Sequence, residues 1–363
     1  MTSETTPFAP RAMLVTGGAG FIGSNFVTEI LAGDADVRVV DLDLLTYAGS
    51  LDNLEAVQDD PRHLFVRGDI CDAELVRRLI DEHEVDTIVH FAAESHVDRS
   101  IDGPAAFVET NIRGTFTLLE SARQAWLEAR GWDASACRFH HISTDEVYGT
   151  LGPDDPGFSE TTPYAPNSPY SAAKASSDHL VRAYQHTYGL PTVTTNCSNN
   201  YGPRQHMEKL LPTVIRSCHL SRPIPVYGDG SNIRDWLYVA DHCSGIETVL
   251  RRGRIGECYN IGGDSERANI DLVKTICRIM DDVEPKSEPH ERLITFVKDR
   301  PGHDWRYAID ATKMRAELGW TPRETLESGL RKTVEWYLGS ERWRHAVEAG
   351  SGGERLGLGA QPK

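Results

Sequence analysis

Two adjacent carboxylates, Asp145 and Glu146, follow Thr144 in the run His141-Ile-Ser-Thr-Asp-Glu-Val-Tyr-Gly149, and Tyr170-Ser-Ala-Ala-Lys174 comes a short way downstream. On a helix the i,i+4 spacing puts Tyr170 and Lys174 on one face. A lysine near a phenol favours tyrosinate, which can take the proton of an alcohol while its carbon gives up hydride. Thr144, at the expected end of a strand, can bond the reacting oxygen. A plain alcohol dehydrogenase has no use for an added acid and base. A carbonyl acidifies the neighbouring C–H, however, so one carboxylate can remove that proton while a carboxylic acid beside it protonates a departing hydroxyl. Two close acids divide one proton between them. The set predicts elimination joined to hydride transfer; the plainer readings are a core-edge Tyr/Lys pair and two solvated loop acids.

A hydride needs an acceptor, and the N-terminal segment predicts its site. The apolar strand Ala12–Thr16 runs into Gly17-Gly18-Ala19-Gly20-Phe21-Ile22-Gly23 and then a helix from about 22 to 32. Glycines at 17, 20 and 23 allow a tight turn and close approach of backbone to a diphosphate, which would face the helix N-terminus. Asp43 lies 20 residues after Gly23, where a carboxylate accepts from adenosine ribose hydroxyls and repels a phosphate there. That favours NAD over NADP, with Asp41 a competitor for the same role. Asp69 and Ile70 follow the third strand, where the chain can approach the adenine, and His90-Phe-Ala92-Ala93 ends the fourth.

These residues need a scaffold, and the pattern supplies one. Short apolar strands at 37–40, 64–66, 87–91, 137–142 and 192–195 alternate with helical stretches at 105–128 and 169–187. That is the signature of a Rossmann-type, doubly wound parallel sheet covered on both faces. After 197 prolines at 203, 212, 223 and 225 break the rhythm. The expected division is a dinucleotide-binding domain from 11–196 with a return at about 236–258, and a smaller, mainly C-terminal substrate lobe from about 197–235 and 260–345. Residues 1–10 and the Gly-rich 350–363 are predicted to be flexible tails.

The chain of 363 residues carries 38 Lys and Arg against 54 Asp and Glu, a formal charge of -16, so nucleic acid and membrane surfaces are not expected partners. It shows neither an apolar span nor the basic, then apolar start of a secretory signal, which reads as cytoplasmic. Its seven cysteines have no Cys-x-x-Cys spacing, and no metal site is expected.

From about Met13 to Trp336 the chain strongly resembles the dTDP-glucose 4,6-dehydratases, extended members of the short-chain dehydrogenase/reductase family. The matching runs include the glycine motif, Leu45-Thr-Tyr-Ala-Gly49, Ala92-Ala-Glu-Ser-His-Val-Asp-Arg-Ser100, Thr144-Asp-Glu, Asn196-Cys-Ser-Asn-Asn-Tyr-Gly-Pro203, Arg234-Asp-Trp236 and Arg300-Pro-Gly-His303. The resemblance implies Tyr170 as base for C4 oxidation, Glu146 as base at C5, Asp145 as the acid releasing the C6 hydroxyl, and hydride return to C6. It places Tyr170 and Lys174 at the nicotinamide ribose. Ser95, Asn199, Glu208, Lys209, Leu210, Pro225, Tyr227, Arg234, Asn269, Arg300 and His303 would then meet the nucleotide sugar, with two long helices pairing subunits into a homodimer. Two departures stand out: Met207 replaces a proline before Glu208-Lys209, and Leu44 a lysine after Asp43. The competing activities are a 4,6-dehydratase for another nucleotide hexose and a nucleotide-sugar 4-epimerase; an NAD-binding protein without activity would leave the polar set unused.

Overall fold

The computed structural model describes residues 7–299 and 304–348; Arg300, His303 and the expected tail from 350 lie outside them. Its strands are β1 (Ala12–Thr16), β2 (Arg38–Asp43), β3 (His63–Arg67), β4 (Thr87–His90), β5 (Arg138–Thr144), β6 (Thr192–Cys197), β7 (Asn199–Tyr201), β8 (Ile224–Tyr227), β9 (Ile233–Tyr238), β10 (Cys258–Ile261), β11 (Glu266–Ala268) and β12 (Ile294–Val297). The helices are α1 (Phe21–Gly33), α2 (Ala73–Glu82), α3 (Val97–Asp102), α4 (Pro104–Phe107), α5 (Thr115–Ala122), α6 (Pro169–Tyr188), α7 (Leu210–His219), α8 (Val239–Arg252), α9 (Asn269–Val283), α10 (Thr312–Leu318), α11 (Leu326–Gly339) and α12 (Glu341–Glu348). The helical stretch expected at 105–128 runs through α4 and α5 with wide π-type turns at Val108–Gly114 and Arg123–Ala129. Among the described residues no helix is long and apolar enough to cross a membrane.

Seven strands form the main sheet in the order β3-β2-β1-β4-β5-β6-β10, all parallel. Every residue of β1, β4 and β5 is buried, as a strand covered on both faces requires. On one face Phe26, Val27 and Ile30 of α1 pack with Ile246, Val249 and Leu250 of α8; on the other, Leu118 and Trp126 meet Phe139 and Val181. The chain order reverses between β1 and β4, and ligands of such sheets settle at the carboxyl ends of strands beside that point.

A second core joins α7, α9, α11 and α12 through Leu211, Val214, Leu272, Ile276, Leu330, Val334 and Trp343. The return to the first core is longer than 236–258: β10 adds the edge strand beside β6, and Ala311, Met314 and Trp320 pack on the same side. Of the expected N-terminal tail, residues 1–6 lie outside the described residues, while Phe8 is buried, donates its N–H to Arg251 O (2.8 Å) and lies under the Arg138 guanidinium. Its apolar ring outweighs the polar, Pro-containing context that reads as a tail.

Between sheet and α8, His140 and His242 are wholly buried, and neither ring nitrogen of His242 has a hydrogen-bond partner. Burial depresses His242 to about 3. The folded chain therefore binds fewer protons than the unfolded one, and this ring's contribution weakens stability as pH falls from about 6.5 towards that value, by about 1.4 kcal/mol per unit. His242→Leu is expected to shrink the stability lost between pH 7 and pH 5 by about 2 kcal/mol, read from urea unfolding at the two pH values. An unchanged difference would mean that the ring is not held neutral.

Candidate active site

The turn after β1 is built around glycine for two separable reasons. Gly17 sits at φ +76°, where a Cβ would also stand 2.6 Å from Ala92 N, and a Cβ on Gly23 would stand 2.3 Å from Gly17 O. The result is a cradle that brings backbone against whatever occupies the cleft, lined by Gly17, Gly20, Phe21, Ile22, Gly23, Asp43, Asp69, Ile70 and Ala92. Asp43 is fixed at its mouth, with Oδ2 accepting from Ala19 N (3.0 Å) and Oδ1 from Leu45 N (2.7 Å). Asp41, the competitor, is fully buried beneath Gly18 with His63 3.6 Å away, and does not line the cleft. A diphosphate-sized approach at the glycines and an acceptor pair at Asp43 fit a dinucleotide with free ribose hydroxyls.

The neighbouring wall is held from below. His90 at the end of β4 links Thr16 (2.8 Å) to Thr115 (2.9 Å), and the Asn111 amide both donates to and accepts from the Glu94 backbone. These bonds fix the loop carrying Ala92, Glu94 and Ser95 against the helices behind it.

At the other end of the cleft β5 delivers Thr144, Asp145 and Glu146, and α6 delivers Tyr170 and Lys174. Thr144 caps the short 3-10 turn Asp145–Tyr148, its hydroxyl accepting from Glu146 N (3.3 Å), while Asn196 Nδ2 holds its carbonyl (3.0 Å). Helix α6 begins at Pro169 behind a reciprocal Ser168/Ser171 cap, which sets the first turn where Tyr170 stands. Asp145 is 2% exposed, whereas Glu146 is half-buried. Burial, then the charges of Glu146 and Asp235, hold the Asp145 carboxyl well above the usual carboxylate range; Arg234 and Thr144 oppose. Burial and the Glu146 charge likewise raise Tyr170 far above an ordinary phenol, against a hydrogen bond to Thr144. Lys174 donates its Nζ to Ile142 O (2.7 Å), and burial pulls it down while Asp178 supports its charge. The lysine thus anchors to the strand, and Thr144 is the group that eases tyrosinate formation directly.

Ser95, Asn199, Glu208 and Lys209 line the same cleft. Glu208 gathers His96 (3.7 Å), Arg99 (3.4 Å) and His206 (3.6 Å), tying the chain beyond β7 to the loop beyond β4. Leu210, Pro225, Tyr227, Arg234 and Asn269 do not line it. Leu210 turns into the second core, and Pro225 and Tyr227 lie on β8, paired with β12. Arg234 is occupied by the carbonyls of Ile233, Asp304 and Trp305 over the Tyr307 ring, and Asp235 accepts instead from Gly263 N and Ser265 N. The sequence reading missed Tyr47, which lines the cleft with the Arg99 guanidinium 3.8 Å over its ring. The Leu45–Gly49 run was the available signal, since Leu45 takes a positive φ there to turn the chain back.

A glycine-cradled Rossmann sheet with a Thr, Tyr and Lys set at its carboxyl edge defines an extended short-chain dehydrogenase/reductase. Residues 14–333 match the family model described as GDP-mannose 4,6 dehydratase. The chain is 57% identical to a dTDP-glucose 4,6-dehydratase of Xanthomonas campestris pv. campestris (strain B100), over 93% of this chain and 96% of the relative, and 55% identical to dTDP-glucose 4,6-dehydratase 1 of Escherichia coli K12, over 93% and 96%. Among solved structures, a dTDP-glucose 4,6-dehydratase from Streptomyces venezuelae with NAD bound superimposes with TM-score 0.84 at 47% identity, covering 93% of this chain and 99% of that one. UDP-glucose 4-epimerase from Thermotoga maritima reaches TM-score 0.79 at 29% identity, covering 90% and 99%, so the fold alone does not separate the two activities. The chain belongs to the dTDP-glucose 4,6-dehydratase family.

Proposed function

We propose that this protein is an NAD-dependent lyase that converts dTDP-glucose to dTDP-4-keto-6-deoxyglucose with loss of water. One observation carries the reading: two adjacent carboxylates in one cleft with Tyr170 are unequal, Asp145 buried and pushed up by that burial, Glu146 half-buried beside it. NAD, when bound, supplies the acceptor for the C4 hydride and the donor that returns it to C6. Gly17, Gly20, Phe21, Ile22, Gly23, Asp43, Asp69, Ile70 and Ala92 would hold it, with Tyr170 and Lys174 at the nicotinamide ribose.

Tyr170 takes the proton of the C4 hydroxyl while Thr144 holds that oxygen. The C4 carbonyl acidifies C5–H, and Glu146 removes that proton. Asp145 gives its proton to the C6 hydroxyl, which leaves as water. Glu146 then returns a proton to C5, and the proton on Tyr170 restores Asp145, so the side chains end the cycle as they began. Ser95 and Asn199 meet the sugar, Glu208, Lys209 and Leu210 the diphosphate and nucleoside, Arg234 and Arg300 the diphosphate oxygens, Pro225 and Tyr227 the base, and Asn269 and His303 further substrate positions, although Leu210, Pro225, Tyr227, Arg234 and Asn269 stand outside the cleft lining in this arrangement; the later residues belong to a smaller unit built mainly from the chain after 197. Val108, Phe116 and Tyr188, exposed apolar groups on the two long helical stretches, support pairing into a homodimer. A formal charge of -16 supports a reading without nucleic acid or membrane partners.

Substrate labelled with deuterium at C4 tests the cycle. The label is expected at C6 of a dehydrated product; label kept at C4, or missing from C6, would sink the internal hydride return. A 4-epimerase would restore the label to C4 and release no water. Turnover compared across dTDP-, UDP-, CDP- and GDP-glucose sets the base preference.

A further inference from the structure

We propose that Asp178 is a positioning residue for the oxidation half of the reaction, clamping the strand that ends in Thr144 to the helix that carries Tyr170 and Lys174. The inference rests on the function proposed above. Asp178 stands one turn beyond Lys174 on α6 and is 6% exposed. Its Oδ1 receives the Nε2–H of His141 (3.0 Å), and its Oδ2 receives the hydroxyls of Ser143 (2.9 Å) and Tyr164 (2.9 Å). Between those two strand residues, Ile142 offers its carbonyl to Lys174 (2.7 Å). Two side chains of α6, one turn apart, therefore grip three successive residues of β5, the three that lead into Thr144-Asp145-Glu146. Proton and hydride transfer tolerate little misplacement, so a slip of this strand against the helix would separate the parts that must act together.

The clamp also carries charge. Lys174 is 4% exposed, and a buried ammonium stays protonated only with an opposing charge nearby. Asp178 supports it first and Cys197 second. Despite its own burial, Asp178 is held below the usual carboxylate range by His141, Lys174 and Ser143. The titratable groups around it are accounted for on every side: His141 on β5 is pushed down to about 4 by burial and Lys174; His90 on β4, whose ring lies 5.3 Å from that of His141, is neutral for the same cause; Tyr164 is pushed far up and donates; Cys258 on β10 feels Asp178 as a repelling charge. Tyr148, whose hydroxyl donates to Asn260 (3.0 Å), also feels the Asp178 charge, and His179 lies 5.4 Å ring to ring from Tyr164. Without the Asp178 charge, Lys174 gives up its proton at lower pH, and the cation that the i,i+4 spacing sets on the Tyr170 face of α6 is lost with it.

Asp178→Asn keeps the shape and removes the charge. In purified, NAD-loaded enzyme the expected result is a KM within about twofold of wild type and C4 oxidation slowed by about 10- to 100-fold. The rising limb of its pH profile should move up by about one unit. Independently of turnover, NMR of protein labelled at lysine Cε should show the Lys174 titration midpoint falling by about one unit. Tyr164→Phe, which removes one donor and leaves the charge, should leave that midpoint in place. A midpoint unmoved by Asp178→Asn, or a rate loss with no pH shift, overturns the proposal. Should that variant not fold, Ser143→Ala with Tyr164→Phe loosens the clamp alone, and an unchanged oxidation rate overturns it. If wild type releases no 4-keto-6-deoxy sugar, the functional reading fails, while the lysine titration still decides whether Asp178 governs Lys174.

Discussion

Replacing Glu146 by Gln is expected to stop exchange of the C5 hydrogen with solvent and to cut overall turnover by about 10³-fold, while C4 oxidation continues. Asp145→Asn should do something different: C5 exchange persists, reduced cofactor and 4-keto sugar accumulate, and water loss slows by about 10²- to 10³-fold. The asymmetry follows from burial. The carboxyl that is 2% exposed, beside a second carboxylate and with Asp235 behind it, is pushed up by burial and by those charges, which suits it to the role of acid. Its half-buried neighbour, more open to the cleft, is assigned as the base. Because the Asp145 value is raised, its acid form survives from low pH up to that raised value, and water loss should fail as pH rises through it. Deuterium exchange at C5 and absorbance of the reduced cofactor in single turnovers distinguish the two variants. Normal elimination in both would defeat the assignment, and exchanged phenotypes would reverse it.

Local pattern carried the parallel sheet and the chemical centre into view, because both rest on short-range rules. Strands buried on both faces tend to read as near-continuous apolar runs, and β1 holds to that; β4 has Thr87 and His90 at its ends, and β5 is fully buried although five of its seven residues are polar. Glycine at 17 and 23 answers to steric demands within a few residues, and Tyr170 with Lys174 to the pitch of one helix. Tertiary pairing was less visible. Nothing near Cys258–Ile261 says that this strand joins β6, and nothing near Ala311–Trp320 says that it packs on α8. The substrate side suffered most: Arg234 has the charge for a diphosphate, yet its guanidinium is spent on backbone carbonyls in this arrangement. Spacing favours Asp43 but leaves Asp41, two residues earlier on the same strand, as a competitor, and the fold separates them by burying one beneath Gly18 and leaving the other in the cleft. Asp178 was readable as the next turn after Lys174, but its partners His141, Ser143 and Tyr164 come from outside the helix.

Tyr170→Phe should lower C4 oxidation by about 10³-fold with little change in cofactor content, since the ring stays and only the proton acceptor goes. The structure makes the dependence on this hydroxyl steep. Burial and the Glu146 charge hold the phenol protonated, so ionisation must be helped, and the Thr144 hydroxyl is the group that lowers its cost directly. Wild-type oxidation should therefore rise with pH. Thr144→Val, isosteric but unable to donate, should move that rise to higher pH, while Tyr170→Phe should flatten it. Glu146→Gln supplies the decisive cross-check, because removing the charge that raises Tyr170 should shift the same limb to lower pH even as C5 exchange disappears. Opposite shifts from two residues on one turn would show that a single tyrosine is tuned from both sides. A limb fixed in all three variants would mean that some other group takes the C4 proton.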